Sequence, residues 1–199
     1  MLLVSEVERG LLAARLAEPG AVVVETADGG VPAGDWAAVA VPANGFYLSL
    51  ATSTAFSLQL APLVGLVLAT RRVLGADKQS VVELCLQEAV ANAIIHGNLG
   101  ISSTAKDHPE GYRVFSQLVN GRLGDPELRG RRVEVFVRWS GGALDISVAD
   151  QGAGFDVSKL PAETETHSRS GRGFVFMRAL AGRVLVTDGG RCTSLRFEL

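Results

Sequence analysis

Glu88-Ala89-Val90-Ala91-Asn92-Ala93-Ile94-Ile95-His96-Gly97-Asn98 is the stretch on which the reading of this chain depends. With Leu84-Cys85-Leu86-Gln87 before it, almost every position is apolar or small, so a helix here buries most of its surface. Glu88, Asn92 and His96 recur every four residues and form one polar stripe. A carboxylate and an amide one turn apart can hold a hydrated magnesium ion or activate a hydroxyl. On spacing alone, a plain solvent-facing stripe is the favoured explanation. The helix is expected to start near Asp77 as its N-cap and to stop at Gly97.

A second segment reads Ile146-Ser147-Val148-Ala149-Asp150-Gln151-Gly152-Ala153-Gly154-Phe155-Asp156. A strand runs into Asp150 and two glycines follow. An aspartate at a strand end can accept a hydrogen bond from an exocyclic amine, and Gly152 and Gly154 let a ligand approach the backbone closely. Taken alone, this is an ordinary Asp-Gly turn. A dinucleotide fingerprint fits poorly, because no third glycine stands at the right spacing and no βαβ unit follows.

The third segment, Ser168-Arg169-Ser170-Gly171-Arg172-Gly173-Phe174, opens a helix predicted from about Phe174 to Leu180. Glycines before a helix N-terminus, with Arg169 and Arg172 beside them, suit a phosphate cradle. A flexible loop with a helix cap is the plainer explanation. The chain contains no Gly-x-x-x-x-Gly-Lys-Ser/Thr run, so this is not a P-loop.

Around these segments the pattern is that of an α+β protein. Residues 1–45 read as an N-terminal extension with a short helix from Ser5 to Ala17 and strands at Ala21–Thr26 and Trp36–Val41. Phe46–Ala51 reads as a strand. A helix capped by Thr52 or Ser53 follows and runs to about Leu74, with Pro62 forcing a kink or a later start. Residues 99–131 form a polar insertion, partly helical through Tyr112, Phe115, Leu118 and Val119. Val133, Val135 and Val137 alternate with polar neighbours, turn at Gly141-Gly142, and pair with Leu144, Ile146 and Val148. A second hairpin joins Val184–Thr187 to Thr193–Phe197 across Asp188-Gly189-Gly190. Helices grouped apart from antiparallel hairpins predict a sandwich of helices on a sheet.

Composition narrows the class. The chain has 199 residues, 47% of them apolar, enough for a sizeable core. A net charge of −2 with scattered basic residues argues against nucleic acid as the main partner. Arg129, Arg131 and Arg132 read as a solvated strand entrance. Cys85 and Cys192 lie far apart and lack metal-ligand spacing, which predicts a reducing compartment. Neither a signal sequence nor a membrane span is recognisable, so a cytoplasmic protein is expected.

Each segment is weak alone, but their order and spacing together are specific. Jointly the sequence resembles the GHKL (histidine-kinase-like) ATPase superfamily over roughly residues 46–199. Glu88 to Asn98 is similar to its N box, Asp150 to Gly154 to its G1 box, and Gly171-Arg172-Gly173 to its G2 box. Within the superfamily the chain resembles the anti-sigma-factor serine kinases. The run Glu-Ala-Val-x-Asn-Ala-x-x-His-Gly-Asn and the short lid Arg169-Ser170-Gly171-x-Gly173-Phe174 carry that likeness. So does an end just past the last strand, with no receiver or dimerisation domain expected.

The resemblance implies a two-layer α/β sandwich of the Bergerat type, with a mixed, mostly antiparallel sheet covered by helices on one face. It implies ATP and magnesium as ligands. By position, Glu88 is the general base, Asn92 ligates magnesium, and Asp150 binds the adenine amino group. Gly152 and Gly154 shape the adenine pocket, and Arg169, Gly171 and Gly173 lie in the lid. Thr193 matches a threonine near the adenine, although Cys192 stands where that pattern has glycine. The implied activity is phosphorylation of a serine or threonine on a STAS-fold anti-sigma-factor antagonist, with a sigma factor as second partner and a homodimer possible. Two other readings remain open. One is a nucleotide-dependent interaction module without phosphotransfer. The other is the ATP domain of a split histidine kinase, for which His96 is a poor acceptor because it belongs to the site helix.

Overall fold

Alternation of valines places β4 (Arg132–Ser140) and β5 (Ala143–Asp150) back to back across the Gly141-Gly142 turn, and this hairpin is the centre of the sheet. In the computed structural model, which describes residues 2–4, 8–26, 39–102, 111–159 and 172–199, the sheet has seven strands. The other five are β1 (Leu2–Val4), β2 (Ala21–Glu25), β3 (Gly45–Ala51), β6 (Arg183–Thr187) and β7 (Cys192–Glu198). Their order is β1-β2-β3-β4-β5-β7-β6. β1, β2 and β3 pair in parallel, and every other neighbouring pair is antiparallel. This is the expected mixed, mostly antiparallel α+β sheet.

Period-two alternation decides which side chains meet the helices. Val133, Val135 and Val137 of β4 and Leu144, Ile146 and Val148 of β5 face one way and are essentially inaccessible to water. Phe46, Leu48 and Leu50 of β3 and Leu195 and Phe197 of β7 join them. Helices α1 (Arg9–Leu16), α3 (Leu60–Thr70), α4 (Ala76–Ala91) and α7 (Arg172–Leu180) supply the other half of this core. Leu63, Val64 and Leu68 come from α3, Leu86 and Ala89 from α4, and Met177 from α7. Each fully buried Leu or Val side chain adds about 1.5–3 kcal/mol through water exclusion. The opposite face carries a smaller cluster of Val24 and Tyr47 with Val22, Val39, Val41 and Phe136.

Several boundaries differ from the sequence expectation. The helix expected from Thr52 to Leu74 is two: α2 (Thr52–Leu58) and α3, bent by 66° at Gln59. Gln59 adopts a left-handed conformation, φ 53°, and Pro62 then lies in the first turn of α3, where its missing N–H breaks no helical bond. Asp77 is not the N-cap of α4; Gly75 takes that place and Asp77 lies in the first turn, where a carboxylate suits the helix dipole. Gly97 does not end the helix. A π-helical segment, Asn92–Asn98, continues it, with Leu99 N–H reaching Ile94 O at 2.9 Å. Val39 to Val41 form no strand, and Trp36 to Ala38 lie outside the described residues. Of the helix expected from Ser5, Arg9–Leu16 is helical, and Ser5–Val7 are outside the described residues.

The 99–131 insertion contributes α5 (Gly111–Leu123) and α6 (Pro126–Gly130). Asp125 caps α6 through the N–H groups of Glu127 and Leu128. Arg132 is buried rather than solvated, correcting the expectation for the arginine cluster: its guanidinium donates to Ser49 Oγ at 3.0 Å and to the Ser49 carbonyl. Among the described residues, no single helix is long and apolar enough to cross a membrane.

Candidate functional site

Helix α4 presses Cys85, Leu86, Ala89 and Val90 into the core, which leaves Glu88 and Asn92 half-buried on its flank beside α7. There the two side chains converge on Gly173 at the start of α7. A Cβ at position 173 would stand 2.5 Å from Glu88 Oε2 and 3.7 Å from Asn92 Nδ2. Glycine is therefore the residue that lets this helix terminus approach the carboxylate. Asn92 Nδ2 is buried and has no hydrogen-bond partner among the described residues. An unpaired buried amide costs about 1–3 kcal/mol, so such a group needs an explanation, and a bound ion or a catalytic role is one. Burial, followed by the Glu88 carboxylate, pushes the Cys85 thiol up to about 11, which keeps it protonated and unreactive at neutral pH.

The stripe predicted through His96 breaks there. His96 is exposed and its Nδ1 pairs with the Ile101 carbonyl at 2.6 Å. The wide π turn is the reason, since its i→i+5 bonding shifts later residues off the 3.6-residue repeat. The same turn brings the helix end against the β5 terminus. A Cβ on Gly97 would stand 2.6 Å from Asp150 Oδ2, and one on Gly152 would stand 2.8 Å from Gly97 Cα. Two glycines thus allow helix backbone, turn backbone and carboxylate to share one place.

Asp150 ends β5 on the helix-facing side of the sheet. Its Oδ1 accepts from Gly152 N–H at 2.8 Å, and its own N–H donates to Arg191 O at 3.0 Å. Burial pushes its carboxyl up to about 6; the Gly152 N–H and the Arg191 and Arg131 guanidiniums oppose that rise, and Asp188 adds to it. A desolvated carboxylate with one oxygen engaged is a strong acceptor for an amine arriving at the other.

Gly154 takes φ +72° and passes close to the Gly189 carbonyl, which accepts from Phe155 N–H at 2.9 Å. The Phe155 ring meets the Phe174 ring with centroids 5.9 Å apart and planes at 60°, linking this turn to the first turn of α7. Thr193, 7% exposed, lies opposite Val148 on β7 and so shares the helix-facing side with Asp150. Cys192 pairs with Ala149 one position earlier, and alternation sends its side chain to the other face. Cysteine in place of glycine there does not intrude on the Asp150 side. Arg169 and Gly171 lie outside the described residues.

The fold therefore brings Glu88 and Asn92 to Gly173, and Asp150 and Gly152 to Gly97 further along the same helical run, with Thr193 on the same face of the sheet as Asp150. Residues 121–198 match the family model of the histidine kinase-like ATPase domain. No curated protein matches the chain. The match supports the superfamily resemblance and, at that coarse level, ATP binding and ATP-using chemistry. It includes Asp150, Gly152, Gly154, Gly173 and Thr193 and begins after Glu88 and Asn92.

The sequence reading missed three residues that build this site. Gly97 reads as a helix stop and Arg132 as surface in the sequence. Asn98 was assigned no role, yet it is fully buried and bonded on both ends of its amide. Its position between Gly97 and Leu99, a polar residue closing an apolar helix, is the signal that could have found it.

Proposed function

We propose that the chain is an ATP-dependent serine/threonine protein kinase of the anti-sigma-factor type. The observation that carries this reading is the convergence of Glu88 and Asn92 on the N-terminus of α7 at Gly173. A helix N-terminus offers N–H groups and partial positive charge to phosphate. Glu88 beside it can take the proton of a substrate hydroxyl. The hydroxyl oxygen then bonds to the γ-phosphorus, the bond from that phosphorus to the β-bridging oxygen breaks, and ADP leaves with the electron pair. Asp150 would hold the adenine amino group, with Gly152, Gly154 and Thr193 shaping its pocket. Arg169 and Gly171 belong to the lid over the phosphates on this reading.

The residues present fit magnesium. Asn92 brings a buried amide with an unsatisfied atom to the phosphate end of the site, and turning the amide presents its oxygen at the same place. Magnesium favours a small number of protein oxygens together with substrate phosphates and water. When bound, it would neutralise phosphate charge as that charge shifts to the leaving group. Asn92 would hold it and Glu88 would stay aimed at the hydroxyl.

The proposed substrate is a serine or threonine of a STAS-fold anti-sigma-factor antagonist, with a sigma factor as second partner and a homodimer as the working form. Support for these partners comes from the N-box and lid sequences. The test is incubation with labelled ATP, magnesium and candidate antagonists. Acid-stable phosphate on serine or threonine, lost in Glu88→Ala, is expected. Acid-labile phosphohistidine would identify a split histidine kinase instead. Nucleotide-dependent partner binding that survives Glu88→Ala, with no phosphoprotein formed, would identify an interaction module.

A further inference from the structure

Asp150 is the last residue of β5, and the backbone beyond it leaves the sheet at Gln151. The turn is held from outside. Gln151 N–H donates to Asn98 Oδ1 at 2.7 Å, and Gln151 Oε1 accepts from Arg132 N–H at 2.8 Å. Asn98 Nδ2 donates in turn to Thr52 Oγ1 and to Arg132 O, both at 2.9 Å. Thr52 Oγ1 donates its own hydrogen to Arg131 O at 2.8 Å. Asn98 and Thr52 are both fully buried, and the two bonds donated by Asn98 Nδ2 are made away from water.

Thr52 itself opens α2, whose N-terminus lacks a cap from its own N-cap residue, Ala51. Glu25 of β2 supplies one from a distance. Its Oε2 accepts from Ala51 N–H and its Oε1 from Thr54 Oγ1, each at 2.6 Å. An unbroken series of bonds and one helix turn therefore leads from β2 in the N-terminal extension to the backbone beside Asp150.

We propose that Asn98 is a positioning residue of the nucleotide site, fixing the Asp150 turn through Gln151, and that Thr52 and Glu25 hold Asn98 in turn. The proposal rests on the reading of Asp150 as the adenine-binding carboxylate. It makes the N-terminal extension a support of nucleotide affinity, although that segment is remote in sequence from every residue expected to touch ATP. Without the Asn98 acceptor, Gln151 N–H is released and the turn loosens toward water, carrying the Asp150 carboxyl with it. Packing around Asn98 alone would not do this.

The test follows the Asp150 carboxyl by carbon-13 NMR titration in ligand-free protein, and in parallel measures ATP and GTP binding. Three folded variants serve: Asn98→Ala, Thr52→Val and Glu25→Gln. Asn98→Ala is expected to bring Asp150 back toward the ordinary carboxyl range as water reaches it, and to weaken ATP binding about tenfold while GTP binding changes little. Thr52→Val is expected to move both readouts the same way by less, and decides the question if Asn98→Ala does not fold. Glu25→Gln should give the smallest shift. A lowered melting temperature with Asp150 titrating as in the wild type would overturn the proposal. If the wild type binds no ATP but the Asp150 titration still moves in the variants, the positioning role stands and the nucleotide reading falls.

Discussion

Gly97 and Asp150, 53 positions apart in the chain, sit so close that a single methyl group on Gly97 would stand 2.6 Å from the carboxylate oxygen Oδ2. The contact exists because the π turn carries Gly97 to the sheet and because Asp150 ends its strand on the helix side. Gly97→Ala is expected to push the Asp150 carboxylate out of place. Overpacking of this kind costs about 1–3 kcal/mol. A lower melting temperature and at least about tenfold weaker ATP binding should follow, because about 1.4 kcal/mol lost from one aligned contact is a factor of ten. Calorimetric titration and a thermal melt check both; unchanged affinity would remove Asp150 from the adenine contact.

Asp150 also gives the protein a pH signature. Its folded carboxyl is pushed up to about 6 from an ordinary 3.8, chiefly by burial. The folded state then holds this proton more tightly than the unfolded state does. Stability is therefore greatest below the ordinary value, falls as pH rises through the window up to about 6, and stays flat above it. Asp150→Asn should flatten that slope and be the more stable protein at pH 7. Nucleotide binding runs the other way, since an amine donor needs the ionised carboxylate. ATP affinity should fall up to about tenfold for each pH unit below the folded value, and Asp150→Asn should abolish that dependence. Melts and binding isotherms from about pH 4.5 to about pH 8 separate the two slopes.

Gly173 makes a comparable prediction at the phosphate end. A Cβ there would crowd Glu88 Oε2, an atom at the tip of a flexible side chain rather than backbone. Gly173→Ala should leave the fold intact, because Glu88 can rotate away. Phosphotransfer should drop by about tenfold or more, as expected when a proton acceptor loses its alignment, while ATP affinity changes far less. Single-turnover assays beside binding isotherms test the split. Equal losses in both would mean that Gly173 serves only the cradle.

Much of this architecture was legible in the sequence for a physical reason: the hairpins announce themselves by alternation and by glycine turns. Val133, Val135 and Val137 could face only one way, and Gly141-Gly142 permits the tight reversal, with φ of 58° and 81°. Helix boundaries were less legible, because they depend on tertiary partners. Gln59 breaks a helix by adopting a left-handed conformation that no local rule demands. Gly97 looked like a stop because glycine usually is one, whereas here its missing side chain serves Asp150. Arg132 looked solvated because arginine usually is; its partner Ser49 is 83 residues away in sequence. The residues proposed to contact ligand were visible as motifs, and those that hold them, Asn98 above all, were not, because their bonds run between distant segments.

Asn92 separates function from stability most sharply. Its buried Nδ2 has no partner among the described residues, and a buried unpaired amide costs about 1–3 kcal/mol. Removing the amide with Asn92→Ala deletes an unsatisfied group and leaves a space beside Gly173 and Glu88, a polar edge of the site rather than the core. The ligand-free variant should therefore melt at or above the wild-type temperature. Sites that hold a strained or unpaired group for a ligand commonly gain stability when that group is removed. Binding should move in the opposite direction: magnesium should strengthen ATP binding in the wild type and do so much less in Asn92→Ala. Titrating ATP with magnesium and with a chelator present measures this directly. A variant that melts lower and keeps the full magnesium effect would make Asn92 a packing residue, and would leave the phosphate end of the site to Glu88 and the α7 terminus alone.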